Sequence, residues 1–424
     1  MDLISIALIT AGLLLFSLVS GRLQGSVITA PLVFVVFGFL IGTGGIEIAP
    51  IAADHSAIHL IAEITLILVL FTDAARIDLK GLRQDHNLPV RMLLVGLPLV
   101  IVAGTLLATQ LFPSFAFWEA ALLAALLAPT DAALGQAVVS AKIVPVRIRQ
   151  AINVESGLND GIALPAVLLF AALASEGHAV TGAGEWIRFV AFQLILGPFI
   201  GVIVGYIGAR GLDVAAERRW ASESFQGIGI LSLAFFTYVT AELIGGNGFI
   251  AAFISGMVFG NTIRHPCTFL FEFMETEGQL LMLITFLVFG AVLLPEGLEI
   301  VTPLILLYAV LSLTVIRMIP ISISLIGARL RLPTQLFLGW FGPRGLASVL
   351  FVLLILEETD LPHRGELLSI TVVTVALSVL LHGVTAAPFA ALYGRLVARK
   401  GTCEETQAVA ELPLREGHIP IDSQ

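Results

Sequence analysis

The stretch NVESGLNDGIALP (residues 153–165) sets two carboxylates, Glu155 and Asp160, beside Asn153, Ser156 and Asn159 in a long apolar run. Hard monovalent cations take oxygen ligands, and burial favours the protonated form of a carboxylate, so cation and proton can compete for one site. One such group, reachable alternately from two sides, suffices for exchange. A second stretch, APTDA (128–132), offers Asp131, the Thr130 hydroxyl and carbonyls freed where Pro129 interrupts a helix. A third, FGPRG (341–345), places Arg344 beside Pro343.

The helical wheel separates these groups. At about 100° per residue, Asn153, Ser156 and Asp160 fall within roughly 60° of one another. Glu155 and Asn159, four apart, form an adjacent stripe. Gly157 and Gly161 lie on the remaining face with the small-xxx-small spacing of close helix contacts. Asp160 is therefore the candidate ion- and proton-carrying carboxylate, with Asp131, Ser156 and Thr130 as further cation ligands. Asn159 orients the site without adding charge. Glu155 and Arg344 are expected to form an ion pair, since removing either would leave an uncompensated buried charge. Several of these residues also have purely structural readings. Asp131 is a favoured helix N-cap, the Glu155–Arg344 pair can be structural, and Ser156 can serve helix packing. Asn153 is read as a packing or access residue. Asp73, in LVLFTDAARI, is read as a snorkelled interfacial charge or as part of a cation funnel. Glu63, Glu242, Arg317 and the acidic opening Glu272, Glu275 and Glu277 receive no firm role.

The elements that position these groups follow from composition. Of 424 residues, 58% are hydrophobic and 12% charged, and the mean hydropathy is +1.00. Soluble domains carry about 25% charged residues, so a soluble enzyme is excluded. No basic stretch suggests nucleic acid. Cys267 and Cys403 are far apart and imply neither a disulfide framework nor a metal site. A spanning helix needs about 20 apolar residues. On that basis the expected fold is an all-α polytopic membrane protein of about thirteen transmembrane helices. They lie near 3–20, 27–46, 58–77, 89–111, 117–140, 150–174, 186–209, 224–244, 246–263, 268–293, 300–326, 334–357 and 366–394. Residues 1–399 make the membrane domain and 400–424 a short polar tail. The N-terminus lacks a basic region and is read as a retained first span.

Lysine and arginine set the expected orientation. Arg22, the group Arg76, Lys80, Arg83 and Arg91, and the group Lys142, Arg147 and Arg149 fall in alternate loops. So do Arg210, Arg218 and Arg219, then Arg264, then Arg329 and Arg331. With Arg395, Arg399, Lys400 and Arg415 in the tail, these are eighteen of the 22 basic residues. Only Arg188 and Arg364 oppose the bias. The N-terminus is expected outside and the C-terminus in the cytoplasm. Spans 1–6 then start outside and spans 8–13 inside, which is an inverted repeat. Its two fifth members, spans 5 and 12, are both interrupted at a proline beside a charge. Such matched breaks point to a midplane site. At 1.5 Å per residue Asp160 lies roughly 15 Å deep, with Asp131 and Arg344 at similar depth.

The motifs E-S-x-x-N-D (155–160), P-T-D (129–131) and G-P-R-G (342–345) resemble those of the cation:proton antiporter 1 family, across about 390 residues. That family includes NhaP-type sodium/proton antiporters and the animal sodium/proton exchangers. The resemblance implies that Asp160 carries cation or proton, with Asn159 as its partner. It also implies that Asp131, the Thr130 carbonyl and Ser156 complete the cation site, and that Glu155 pairs with Arg344. It further implies a homodimer in the cell (inner) membrane. Spans 4–6 and 11–13 would form a core moving like an elevator against a dimerisation part of spans 1–3 and 7–10. The Asn-Asp form goes with electroneutral exchange, and no cofactor is expected. The G-P-R-G proline and the short tail depart from the animal exchangers, which favours a prokaryotic origin and puts elaborate cytosolic regulation in doubt.

The expected cation is Na+, with Li+ or K+ open. Alternatives are a K+/H+ antiporter and a sodium-coupled organic-anion symporter of similar architecture. A passive channel is a third. An intramembrane aspartyl protease needs Tyr-Asp and Gly-x-Gly-Asp, whereas the contexts here are Thr130-Asp131 and Asn159-Asp160.

Overall fold

The protein is described by a computed structural model that covers residues 3–23, 26–45, 55–77, 79, 87–175, 183–264, 268–399 and 405. Lys80, Arg83, Lys400, Arg415, Cys267, Cys403 and nearly all of the expected tail lie outside the described residues, as do the side chains of Arg188, Glu272, Glu275 and Glu277.

The described residues form helices and no strand. In chain order these are α1 (Leu3–Leu23), α2 (Ala30–Ile41), α3 (His55–Ala75) and α4 (Asn87–Leu111). The first interrupted pair follows, α5 (Phe117–Leu126) and α6 (Ala132–Val139), then α7 (Val146–Ala174). Next come α8 (Ala183–Glu217), α9 (Glu223–Leu243) and α10 (Gly248–Thr262). Helix α11 (Thr268–Val288) runs through a π-helical turn at Phe289–Leu293 into Leu294–Leu298. The last are α12 (Pro303–Leu313), α13 (Val315–Ser324), the second interrupted pair α14 (Leu332–Trp340) and α15 (Leu346–Glu358), and α16 (Arg364–Ala398).

Local chemistry explains most boundaries. Asn247 caps α10 by accepting from the Ile250 N–H at 3.0 Å, and Thr302 caps α12, whose first residue is Pro303. Both are favoured caps, and proline suits the first helical turn. The IGGNG turn separates α9 from α10 as expected, with Gly245 at φ +79°. One break carried no proline or glycine signal. Helix α12 stops at Thr314, whose backbone sits at φ −112°, ψ −89° and whose hydroxyl donates to the Val310 carbonyl at 2.7 Å. Such back-bonding competes with the helical ladder and bends it.

Among the described residues, eight helices are long and apolar enough to cross a membrane, and shorter apolar helices accompany them. Burial runs opposite to that of a soluble protein. The most apolar window of α1 has a mean hydropathy of 2.4 yet is only 11% buried, and Leu14, Leu15 and Leu18 are exposed. Apolar side chains face outward while Glu155, Asn159, Arg317 and Arg344 sit inside. That distribution belongs to a multi-pass membrane protein.

Small residues bring helices together. Gly197, Gly201 and Gly205 on α8 meet the cap residue Asn247 and then Ala251 and Ser255 of α10. Gly256 and Gly260 of α10 lie against the Phe71 and Ala75 carbonyls of α3. Without a hydrophobic driving force between helices in lipid, such close van der Waals fit carries association. Helices α4–α7 and α12–α16 pack among themselves, and α3 and α10 reach across to α7.

Candidate ion-binding site

The two interrupted pairs meet break to break. The Asp131 N–H donates to the Pro343 carbonyl at 2.8 Å. The Asp131 carboxylate accepts from the Leu346 N–H at 3.0 Å and from the Leu134 N–H at 3.4 Å. One carboxylate thus caps the N-termini of both α6 and α15, where the helix dipoles are positive. Arg344 supplies the complement. Its Nη1 donates to the Ala128 carbonyl at 2.7 Å and the Pro129 carbonyl at 3.2 Å. Those carbonyls follow the end of α5, where the dipole is negative.

Each position of G-P-R-G has a physical reason. A Cβ on Gly342 would run into the Arg317 guanidinium, and a Cβ on Gly345 would run into the Asp131 carboxylate. The Pro343 carbonyl takes the Asp131 N–H, and Arg344 takes the carbonyls of the other break. A Gly345→Ala substitution therefore forces the two breaks apart. The expected cost is about 1–3 kcal/mol, the range for overpacking, read as a lowered melting temperature in detergent. Gly135→Ala is the control, because nothing lies within 4 Å of its Cβ position.

The expected Glu155–Arg344 pair is not formed. Glu155 pairs with Arg317, whose Nη1 and Nη2 donate to Oε1 and Oε2 at 2.8 and 2.9 Å. Both side chains are 1% exposed. The reason is position. Arg344 projects from a break whose nearest unpaired acceptors are the carbonyls ending α5, whereas Arg317, in the first turn of α13, reaches Glu155 on α7. Depth along a helix was readable from the chain, but direction around it was not, and two membrane arginines competed for the role.

Glu155 opens a buried polar cluster. The Thr130 hydroxyl is its hub: it lies 3.5 Å from Glu155 Oε2 and 3.1 Å from the Ser156 hydroxyl, and it accepts from Asn159 Nδ2. The Asn159 Oδ1 is buried with no hydrogen-bond partner among the described residues. Asp160 follows at 7% exposure, one turn beyond Ser156. The structure therefore brings Thr130, Glu155, Ser156 and Asn159 into one network, while the Asp131 carboxylate is occupied at both oxygens by backbone N–H groups. The chemistry on offer is a set of uncharged oxygens beside a neutralised ion pair and one further carboxylate.

The other singled-out residues fall around this centre. Gly161 packs against the Phe253 ring of α10, and Gly157 faces the Asp73 carbonyl of α3 and Ile77 just beyond its end. Asp73 is half-buried and its backbone stands beside α7. Asn153 is half-buried, two residues before Glu155. Glu242 accepts from the Gly248 N–H at 2.7 Å and so helps to hold the start of α10.

Interrupted helices crossing at a buried charged centre, in a bundle with an apolar exterior, define a multi-pass membrane protein of the secondary-transporter type. Comparison with known proteins agrees. A family model described as sodium/hydrogen exchanger, transmembrane, matches residues 6–392, and the chain belongs to that family. It is 25% identical over 358 residues to the K+/H+ antiporter NhaP of Alkalimonas amylolytica, covering 83% of this chain and 61% of that one. It is 31% identical over 209 residues to Na+/H+ antiporter 2 of Zygosaccharomyces rouxii, covering 47% of this chain and 25% of that one. The chain thus spans less than two thirds of the length of these relatives. The sodium proton antiporter MjNhaP1 of Methanocaldococcus jannaschii shares the fold, with a TM-score of 0.77 at 18% identity, covering 92% of this chain and 98% of that one.

Proposed function

We propose that the chain is a secondary antiporter that exchanges one monovalent cation, Na+ first, for one proton. The observation that carries this reading is the charge balance on α7. Glu155 is matched by Arg317, so its charge stays fixed and Asp160 is the carboxylate whose charge changes. Cation and proton bind Asp160 in turn, with Ser156 and Thr130 as neutral oxygen ligands and Asn159 orienting the group. Asp131 serves the site by closing the two helix ends around it. Asp73 and Asn153 lie on the approach. One exchangeable charge per cycle makes the exchange electroneutral.

The rest of the reading extends the architecture. The two interrupted pairs count as one crossing each, as do α12 and α13, giving thirteen crossings with the N-terminus outside and the C-terminus in the cytoplasm. Helices α4–α7 and α12–α16 act as the moving core, and α1–α3 with α8–α11 as a dimerising scaffold in the inner membrane. The glycine-mediated fit of α3, α8 and α10 supports a rigid scaffold.

A potassium reading is favoured by the K+/H+ names of the Alkalimonas relative and of relatives from Shewanella. A cation panel in everted vesicles separates the two. Addition of Na+ is expected to dissipate a preformed pH gradient faster than K+, with Li+ close to Na+ and choline inert. A larger response to K+ would overturn the choice of sodium, and no response to any alkali cation would overturn antiport.

A further inference from the structure

Helix α16 carries a polar stripe that none of the preceding roles uses: Ser378, His382 and Thr385, at i, i+4 and i+7. Ser378 is fully buried and His382 is 1% exposed. Polar groups at such positions in a membrane helix are costly unless paired, and here every one is paired with the α14–α15 break. The Ser378 hydroxyl accepts the Arg344 N–H at 2.7 Å. The same hydroxyl lies 3.1 Å from His382 Nδ1. On the other side of the imidazole, Nε2 lies 3.0 Å from the Trp340 carbonyl, at the last residue of α14. The Trp340 indole N–H donates to the Thr385 hydroxyl at 3.1 Å, and its ring lies 4.9 Å from the imidazole.

Nδ1 also lies 3.0 Å from the Ser378 carbonyl. A neutral imidazole donates to only one of the two carbonyls, and in the tautomer with its proton on Nε2 it donates to Trp340 while Nδ1 accepts from the Ser378 hydroxyl. In that tautomer the chain of bonds runs Arg344 N–H to Ser378 O–H to His382 to Trp340 carbonyl, with Ser378 and His382 each donating once and accepting once. It closes across residues 341–345, the non-helical link that carries Pro343 and Arg344. We propose that Ser378 and His382 are positioning residues of the ion site, which hold this link in register against the Ala128–Asp131 break. They act through Arg344 and the Pro343 carbonyl and do not touch the cation. Losing the clasp lets the link shift along α16, and the Thr130 and Asp131 backbone shifts with it.

Purified Ser378→Ala, His382→Leu and His382→Gln proteins test this by hydrogen–deuterium exchange of peptides covering 341–346, with 248–262 as internal control, and by transport kinetics in proteoliposomes. The kinetic arm rests on the antiport reading, and the exchange arm does not. Ser378→Ala and His382→Leu should speed exchange in 341–346 about tenfold, the size expected of one buried hydrogen bond, and leave 248–262 unchanged. The half-saturation for Na+ should rise by a similar factor, with the maximal rate changed less. His382→Gln, which keeps a donor for the Trp340 carbonyl, should restore most of both. Should His382→Leu fail to fold, Ser378→Ala decides, because it removes the acceptor of the Arg344 N–H and leaves the His382–Trp340 bond in place. Unchanged exchange in Ser378→Ala overturns the proposal, as does faster exchange with an unaltered half-saturation, or a Gln variant no better than Leu. If the wild-type protein moves no protons at all, the antiport reading fails, and exchange alone decides whether the clasp holds the break.

Discussion

Asp160→Asn is expected to reduce cation-driven proton movement to that of protein-free vesicles while the protein still purifies as a folded species. The amide has the shape of the carboxylate and keeps its hydrogen-bonding oxygen, but it neither binds a proton in the working range nor carries the charge that attracts a cation. Burying an unneeded charge costs about 2.5–3.5 kcal/mol on insertion scales, so the amide should leave stability unchanged or raise it. Loss of transport together with retained stability is the signature of a residue kept for function. Full exchange in the Asn variant would remove Asp160 from the mechanism.

The second large effect concerns the ion pair. Arg317→Ala and Glu155→Ala should each destabilise the protein by about 3–5 kcal/mol, because each leaves the partner charged and buried. Both should lower the melting temperature far more than Asp160→Asn. Replacing the two together by apolar residues of similar volume, as in Glu155→Leu with Arg317→Met, should recover most of that loss. A double-mutant cycle separates the two candidate arginines. Strong coupling is expected between Glu155 and Arg317, joined by two hydrogen bonds. Coupling between Glu155 and Arg344 should be weaker, since the Arg344 guanidinium bonds to backbone carbonyls. The reverse order would contradict the pairing described here.

The helical fold, both proline breaks and the division of α7 into a polar face and a glycine face were legible in the chain, because each rests on local rules. Apolar length marks a membrane helix, Pro129 and Pro343 mark interruptions, and 100° per residue separates Gly157 and Gly161 from Glu155 and Asp160. The roles of Arg317 and Arg344 were not legible. Their assignment depends on which way each side chain turns, and Arg317 owes its aim partly to the Thr314 break, which no proline or glycine announces. The stripe Ser378–His382–Thr385 was likewise silent, since serine and threonine are common in membrane helices, where they satisfy their own backbone. The cluster on Thr130 was half visible. Its members could be named from spacing, but the capping duty of Asp131 emerged only where α6 and α15 begin side by side.

The central claim is that one proton crosses for each cation, carried on a single carboxylate. Its most direct test is proton flux from proteoliposomes under an inward Na+ gradient, with equal K+ and valinomycin on both sides clamping the potential at zero, and then with a potential imposed. The account predicts proton efflux at the same rate in both conditions, absent in Asp160→Asn. A rate that follows the imposed potential would mean that net charge moves in each cycle, and would contradict the assignment of a fixed Glu155–Arg317 pair beside one exchangeable Asp160.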